Sequence, residues 1–216
     1  MDISHILPGS LHVITGGMKG RKTPQFISVF DQLSYAEIKT QVFKPRCDYR
    51  SELHEKFNLP HNYIVSRTGA HLPAVEIDDE KPFEILKNLD QDAQIIGIEE
   101  VTLFEQPDCL VEIILQVLNS GKAAIVAGLD KNFRGEPFLP MSSLMAYATT
   151  VEKSYGICDL KGCSRLGEYP QRIIDGIPAD YNSPIKLVGA SEAYEIRCLE
   201  HHEVPGKKDS KILRCF

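Results

Sequence analysis

The stretch that decides the fold runs from residue 11 to residue 23 and reads Leu11-His12-Val13-Ile14-Thr15-Gly16-Gly17-Met18-Lys19-Gly20-Arg21-Lys22-Thr23. A short apolar run with strand character leads into a glycine-rich turn, and the turn closes on Lys-Thr. This order predicts a phosphate-binding loop, in which backbone N–H groups surround the phosphates, the lysine meets their charge and the threonine hydroxyl ligates Mg²⁺. A helix directly after the loop would add the positive end of its dipole.

One position of this loop departs from the Walker pattern. A Walker loop has glycine immediately before the lysine, whereas this chain has Arg21 there and Gly20 one position earlier. Gly16, Lys22 and Thr23 keep the expected places. Taken alone, the loop is therefore compatible with phosphate binding and also with an ordinary glycine-rich turn.

The composition limits the classes of protein that the chain can be. Its 216 residues suit one domain, or one domain with a small appendage, and an apolar fraction of 43% is ordinary for a globular protein. The formal net charge of −6 argues against a general affinity for nucleic acid or anionic membranes. No apolar run approaches the roughly 20 residues of a membrane span, and the first residues do not resemble a signal peptide. We therefore expect a cytoplasmic protein with no nucleic-acid or membrane partner.

Strand and helix patterns alternate through the first two thirds of the chain. Strand patterns occupy residues 40–43, 62–66, 74–77, 94–98 and 123–127, and helical patterns occupy residues 26–33, 83–89 and 110–118. The runs at 94–98 and 123–127 are almost unbroken apolar sequences, which indicates burial on both faces, as in a parallel sheet. The alternation predicts an α/β fold with a mainly parallel sheet flanked by helices.

The character of the chain changes near residue 150. Cysteine, glycine, proline and tyrosine become frequent after Val151, and long apolar patterns disappear. We therefore predict an α/β domain over residues 1–150 and a small second domain over residues 151–216. The chain's six cysteines are widely spaced, and in a reducing compartment such cysteines are more often free thiols or metal ligands than a disulfide framework.

Two stretches that follow the apolar strands carry chemically useful side chains. Glu99 and Glu100 follow the strand at 94–98, where P-loop enzymes place the carboxylate that organises Mg²⁺, although such a pair can also be a solvated strand end. The loop at 128–138 follows the next strand and contains Phe133 and Phe138, which are either core residues or the walls of a pocket for a flat ligand.

Six motifs in the same order make the chain resemble thymidine kinases of the cellular and poxviral type, over about residues 9–202. The family's phosphate loop, its Lys-Pro-x-x-Asp-x-Arg motif and its Ser-Arg-x-Gly motif are matched by Gly16, Met18, Lys22, Thr23, Lys44, Pro45, Asp48, Arg50, Ser66, Arg67 and Gly69. The family's Ile-Gly-Ile-Asp-Glu-x-Gln-Phe-Phe motif corresponds to residues 96–104, and its Gly-Leu-Asp-x-Asp-Phe-x-Gly-x-Pro-Phe motif corresponds to residues 128–138. Later matches are Cys158, Arg172, Gly189, Tyr194, Glu195, Arg197 and Cys198.

The resemblance implies a P-loop domain with a small C-terminal zinc-ribbon-like lasso domain, and an enzyme that phosphorylates thymidine with ATP in nucleotide salvage. The ATP phosphates would be bound by Gly16, Gly17, Met18, Lys19, Gly20, Arg21, Lys22 and Thr23, with Asp48 and Arg50 close by unless these two form only a local ion pair. Thr23 and Glu99 would organise Mg²⁺, and Glu100 would be the general base for the nucleoside 5′-hydroxyl. The thymidine base would be enclosed by Met18, Leu103, Phe104, Phe133, Phe138, Leu187, Val188, Gly189, Ala190 and Tyr194.

The family also implies a structural zinc site, a homotetramer and feedback by thymidine triphosphate. Its zinc ligands are an early Cys-x-x-Cys and a late Cys-x-x-Cys/His, and this chain keeps only the late pair, with Lys161 replacing one early ligand. Cys163 lies two residues further on, so the predicted Zn²⁺ ligands are Cys158, Cys163, Cys198 and His201. The alternative is four residues without a metal in a lobe that packing stabilises.

The departures from the family pattern leave two functional hypotheses. Arg21 replaces a glycine, Glu99 replaces the magnesium-organising aspartate, and Thr102 replaces a glutamine. The first hypothesis is an active thymidine kinase in which these changes are tolerated. The second is a divergent, catalytically weak homologue that binds nucleotide or regulates a partner.

Overall fold

The computed structural model describes residues 3–185 and 193–208 of the chain. These residues fall into two compact units. The first contains the described residues up to Gly16 together with Arg21–Asp130 and Phe138–Ser154, and the second contains Gly17–Gly20, Lys131–Pro137 and the described residues from Tyr155 onward. The predicted division into residues 1–150 and 151–216 stays a prediction.

A six-stranded sheet is the centre of the first unit. Its strands are β1 (Leu11–Gly16), β2 (Thr40–Pro45), β5 (Val75–Ile77), β6 (Ile95–Ile98), β7 (Ala123–Ala127) and β8 (Thr150–Ser154), and β3 (Tyr63–Val65) and β4 (His71–Pro73) form a separate antiparallel hairpin. The order across the sheet is β5-β2-β6-β7-β1-β8, and every neighbouring pair is parallel. The predicted α/β fold with a parallel sheet is thus confirmed, and the two unbroken apolar runs are its central strands β6 and β7.

Helices cover both faces of this sheet. They are α1 (Lys22–Tyr35), α2 (Ser51–Phe57), α3 (Glu84–Lys87), α4 (Pro107–Asn119) and α5 (Met141–Tyr147). Successive residues of a strand point to opposite faces, so Val13 of β1 joins the core that contains α4, whereas Ile14 joins the core that contains α1. Among the described residues, no helix combines the length and the apolarity that a membrane span requires.

A glycine in β6 determines how closely α1 packs on the sheet. A Cβ atom on Gly97 would lie 2.4 Å from Cζ of Phe30 and 2.9 Å from Cζ of Phe26. These two α1 residues are fully buried, and their ring centroids are 4.8 Å apart. The missing side chain therefore makes room for two aromatic rings above the middle of the sheet.

The second unit consists of short antiparallel strands. These are β9 (Gly156–Ile157), β10 (Leu166–Gly167), β11 (Tyr169–Ile174), β12 (Ile177–Pro178) and β13 (Ala193–Arg197). β9 pairs with β10, and β11 lies between β12 and β13. A 3₁₀ turn at Leu199–His201 follows β13 and carries the last of the predicted zinc ligands.

We expect the substitution Gly97→Ala to destabilise the first unit, because the added methyl group would overlap the two phenylalanine rings. The expected cost is about 1–3 kcal/mol in the free energy of unfolding, measured by urea denaturation. The double variant with Phe30→Leu should cost less than the sum of the two single changes, because the smaller side chain vacates the space. Strictly additive costs would contradict the steric explanation.

Candidate active site and metal centre

The phosphate-loop sequence begins at a position where only glycine fits. Gly16 ends β1 with φ 122°, and a Cβ atom there would lie 1.9 Å from the carbonyl oxygen of Ser154. At the other end of the loop, Arg21 directly precedes α1 and has φ 62° and ψ 22°. The left-handed conformation that glycine would adopt freely is therefore kept by an arginine, at a cost of about 1 kcal/mol. The Arg21 side chain is exposed.

The first turn of α1 meets the end of β6 through a hydrogen bond. Thr23 Oγ1 donates to Glu99 Oε1 at 2.6 Å, and both side chains are buried. The second carboxylate oxygen of Glu99 is buried and has no hydrogen-bond partner among the described residues. A buried oxygen without a partner is costly unless a ligand satisfies it, and hydroxyl and carboxylate oxygens are what Mg²⁺ prefers. The arrangement therefore fits a divalent cation.

Glu100 lies next to this pair and is held by a cation. Arg50 Nη2 donates to Glu100 Oε1 at 3.0 Å, while its Nε donates to Asp48 Oδ1 at 3.2 Å. The third contact of the guanidinium is with the carbonyl oxygen of Val65 at 3.4 Å. Glu100 has φ 50°, and the same Arg50 Nη2 also lies 3.9 Å from Glu99 Oε1, so both carboxylates are near one guanidinium. Asp48 and Arg50 thus form the local ion pair that the sequence allowed, and Arg50 also reaches the predicted base.

Burial and neighbouring charges both shift the pKa values of these groups. Burial raises the pKa of Glu99 well above its usual range, and the neighbouring charge of Glu100 raises it further against the effect of Arg50. Burial also raises the pKa of Glu100, where Arg50 again opposes the change. Burial lowers the pKa of Lys22, against the attraction of Glu100 and Glu99. With Asp48, the site thus holds three carboxylates and two cations in a largely buried place.

The residues predicted to enclose the base are distributed over the two units. In the first unit, Phe104 is 1% exposed and belongs to the hydrophobic core, whereas Leu103 and Phe138 are half-buried. In the second unit, Phe133 is 3% exposed, and Met18 and Tyr194 are half-buried. The predicted residues Leu187, Val188, Gly189 and Ala190 lie outside the described part of the chain.

The four predicted zinc ligands come together in the second unit. The candidate ligand atoms of Cys158, Cys163, Cys198 and His201 all lie within 4.8 Å of one another. His201 Nδ1 is 3.3 Å from Cys198 Sγ and 3.7 Å from Cys158 Sγ. Three thiols and one imidazole are a typical ligand set for tetrahedral Zn²⁺. Cys163 therefore belongs to the cluster although position 161 is a lysine, and the residues present fit the ion.

The surroundings of this cluster favour the ligand form of one cysteine. Burial alone would raise the pKa of Cys158, but the backbone N–H groups of Leu160 and Cys198 and the contact with His201 lower it to about 6. A thiolate is the form that binds a metal. The neighbouring His202 is not part of the cluster, because its Nε2 donates to the carbonyl oxygen of Phe133 at 2.9 Å and its ring stacks on Tyr169.

Two charged residues of the family motifs, Lys44 and Asp130, are buried in the structure, and the sequence pattern had assigned no role to either. Lys44 is fully buried, and its Nζ donates to the carbonyl oxygens of His61 and Tyr63 at 2.9 and 3.2 Å. Asp130 is 3% exposed, with Lys153 Nζ 3.5 Å from its carboxylate. A charged residue three positions after the end of an apolar strand was the available signal for Asp130, whereas nothing in the local pattern indicated the burial of Lys44.

Comparisons with known proteins point to one family. The family model described as thymidine kinase matches residues 9–202. A thymidine kinase from Ureaplasma urealyticum serovar 10 is 39% identical over 204 residues, which cover 92% of this chain and 85% of that protein. The match spans both units and every motif on which the resemblance was based. With the strand–loop–helix, the acidic pair and the Cys/His cluster in place, the chain belongs to the thymidine kinase family.

Proposed function

We propose that this protein transfers the γ-phosphoryl group of ATP to the 5′-hydroxyl of thymidine, for nucleotide salvage. The observation that carries the proposal is the pair of contacts at the end of β6, where Thr23 meets Glu99 and Arg50 meets Glu100. These contacts occur on a chain that matches thymidine kinases over nearly its whole length. The extent of that match favours an active enzyme over a catalytically weak homologue.

The phosphate end of the reaction involves the loop and the start of α1. We assign Lys22 to the ATP phosphates, together with the backbone from Gly16 to Arg21, because the loop precedes a helix whose dipole favours anions. Thr23 and Glu99 would hold Mg²⁺, which when bound neutralises charge on the phosphate oxygens. Glu99 is one methylene longer than the usual aspartate, and its contact with Thr23 shows that the extra length still allows the pair to form.

The nucleoside end of the reaction involves Glu100. Its carboxylate would accept the proton of the 5′-hydroxyl as that oxygen attacks phosphorus, a step that needs orientation more than a strong base. Arg50 orients the carboxylate through a 3.0 Å hydrogen bond, and Asp48 in turn orients Arg50. Burial raises the pKa of Glu100, against the effect of Arg50, so this carboxylate accepts a proton more readily than an exposed one would.

The remaining assignments extend the family resemblance to this chain. We assign the enclosure of the base to Met18, Leu103, Phe104, Phe133, Phe138 and Tyr194. We also assign Zn²⁺ to the Cys/His cluster, because a small lobe with little apolar core gains stability from a metal. A homotetramer in the cytoplasm is the assembly and the location that we propose on the same basis.

The proposed reaction is tested by transfer of phosphate from ATP to thymidine, with wild-type protein beside Glu100→Gln. We expect wild-type turnover, and a loss of about 100-fold or more in kcat for the variant, because glutamine cannot accept the proton. Mg·ATP should still raise the Tm of the variant, since the phosphate-binding residues are intact. Glu112→Gln, on the exposed face of α4, is the matched control and should keep full activity. Unchanged turnover in Glu100→Gln would exclude this base.

The role of Glu99 has a consequence for stability. Because its pKa is raised in the folded protein, its contribution to stability is complete below the unfolded pKa and is lost as the pH rises through the folded pKa. The glutamine of Glu99→Gln stays neutral at every pH. Without metal, the Tm of the variant minus the Tm of the wild type should therefore be larger at about pH 9 than at about pH 5. The variant should also lose protection by Mg·ATP. An equal difference in Tm at both pH values would show that burial does not govern this carboxyl.

Zinc binding is tested by metal analysis of protein purified without chelators. We expect about one zinc per chain, and much less in Cys163→Ser, because a neutral hydroxyl is a poor substitute for a thiolate ligand. The variant should also have a lower Tm. Cys109→Ser in α4 is the control, since this cysteine lies outside the cluster and is similarly half-buried. Wild-type protein without zinc, or equal zinc in both variants, would contradict the site.

A further inference from the structure

A fully buried arginine lies at the centre of the second unit. Arg172 is in β11 and has no exposed surface. Its Nε donates to the hydroxyl oxygen of Tyr194 at 2.7 Å, its Nη2 donates to the carbonyl oxygen of Ile185 at 2.8 Å, and its Nη1 donates to that of Pro184. The guanidinium carbon is 4.4 Å from the ring centroid of Phe133 and 5.3 Å from that of Tyr194. One buried cation therefore contacts two aromatic rings.

The geometry of these contacts requires arginine. The guanidinium is a rigid plane whose donors diverge, so that one side chain can bond to three separate oxygens while its face lies against a ring. A lysine at this position would present one ammonium group, which cannot reach the same three oxygens together. Because an unpartnered buried donor or acceptor is costly, the position of the guanidinium dictates where the Tyr194 hydroxyl and the two carbonyl groups lie.

The two rings that Arg172 contacts are both among the residues assigned to the nucleoside base. Phe133 comes from the loop at 128–138, whereas Tyr194 comes from β13, which pairs with β11. The register of that pairing places Arg172 directly opposite Tyr194. Strand pairing fixes the backbone of Tyr194, and the hydrogen bond to Arg172 fixes its ring. The cation–π contact fixes the ring of Phe133 from the same group.

We infer that Arg172 is a positioning residue for nucleoside recognition, which sets the rings of Phe133 and Tyr194 relative to each other without contacting the phosphates. The inference rests on the proposed function, in which these rings enclose thymidine. None of the hydrogen bonds and ring contacts given above for Arg172 involves the phosphate loop, Glu99 or Glu100, so a change at Arg172 should alter the recognition of thymidine and leave that of ATP unchanged.

The test is steady-state kinetics of Arg172→Lys, with thymidine and ATP varied in separate series. We expect the KM for thymidine to rise about tenfold or more, because hydrogen bonds to a charged group are lost, while the KM for ATP stays within about twofold. Tyr194→Phe removes one oxygen and no carbon, so it should shift the KM for thymidine in the same direction by a smaller factor. If Arg172→Lys does not fold, the KM values of Tyr194→Phe are compared with those of the wild type instead.

The matched control is Gln171→Ala, one residue earlier in the same strand. Gln171 is 2% exposed, and its Nε2 donates to the carbonyl oxygens of Glu203 at 2.9 Å and of Arg172 at 3.3 Å. Its Oε1 accepts from the N–H group of Glu203 at 2.8 Å. The control therefore also loses buried hydrogen bonds to the backbone, but it contacts neither of the two rings in the described structure. It should lower the Tm while the KM for thymidine stays the same.

The outcomes separate the inference from the function on which it rests. Folded wild-type protein that transfers no phosphate to thymidine would overturn the proposed function and the inference with it. An active wild type whose KM for thymidine is unchanged in Arg172→Lys would overturn the inference alone. An equal rise in Gln171→Ala would do the same, because it would reduce the effect of Arg172 to the general stability of the second unit.

Discussion

The candidate active site depends on the hydrogen bond from Thr23 to Glu99. This 2.6 Å contact joins the first turn of α1 to the end of β6, two elements that carry different parts of the proposed chemistry. The helix lies close to the sheet because Gly97 has no side chain, which leaves room for Phe26 and Phe30 against the middle of the sheet. Close packing of helix on sheet therefore brings a hydroxyl and a carboxylate together where a cation can use both.

The charges around this contact are arranged for ligand binding more than for stability. Two carboxylates lie side by side in a place where burial raises the pKa of each, and burial also lowers the pKa of Lys22. Arg50 compensates part of the negative charge through Glu100 and Asp48. Buried charges of this kind contribute little to net stability, because desolvation opposes their attraction.

The second unit obtains its order from polar groups instead of a large apolar core. A cluster of three cysteines and one histidine lies beside its short strands, and the guanidinium of Arg172 joins β11 to Tyr194, Phe133 and two backbone carbonyl groups. Small lobes bury little apolar surface, so hydrogen-bonded polar groups take a larger share in ordering them.

The local order of residues was enough to predict the strand–loop–helix of the phosphate loop, the two central strands and, through six motifs in order, the family. The tertiary structure alone decided that Arg21 adopts the conformation of the missing glycine, that Phe104 belongs to the core and that Arg172 contacts two rings. The physical reason is the distance along the chain over which each kind of interaction acts. Periodicity and turn chemistry act over a few neighbouring residues, whereas Thr23 and Glu99 are 76 positions apart and meet only when the sheet forms.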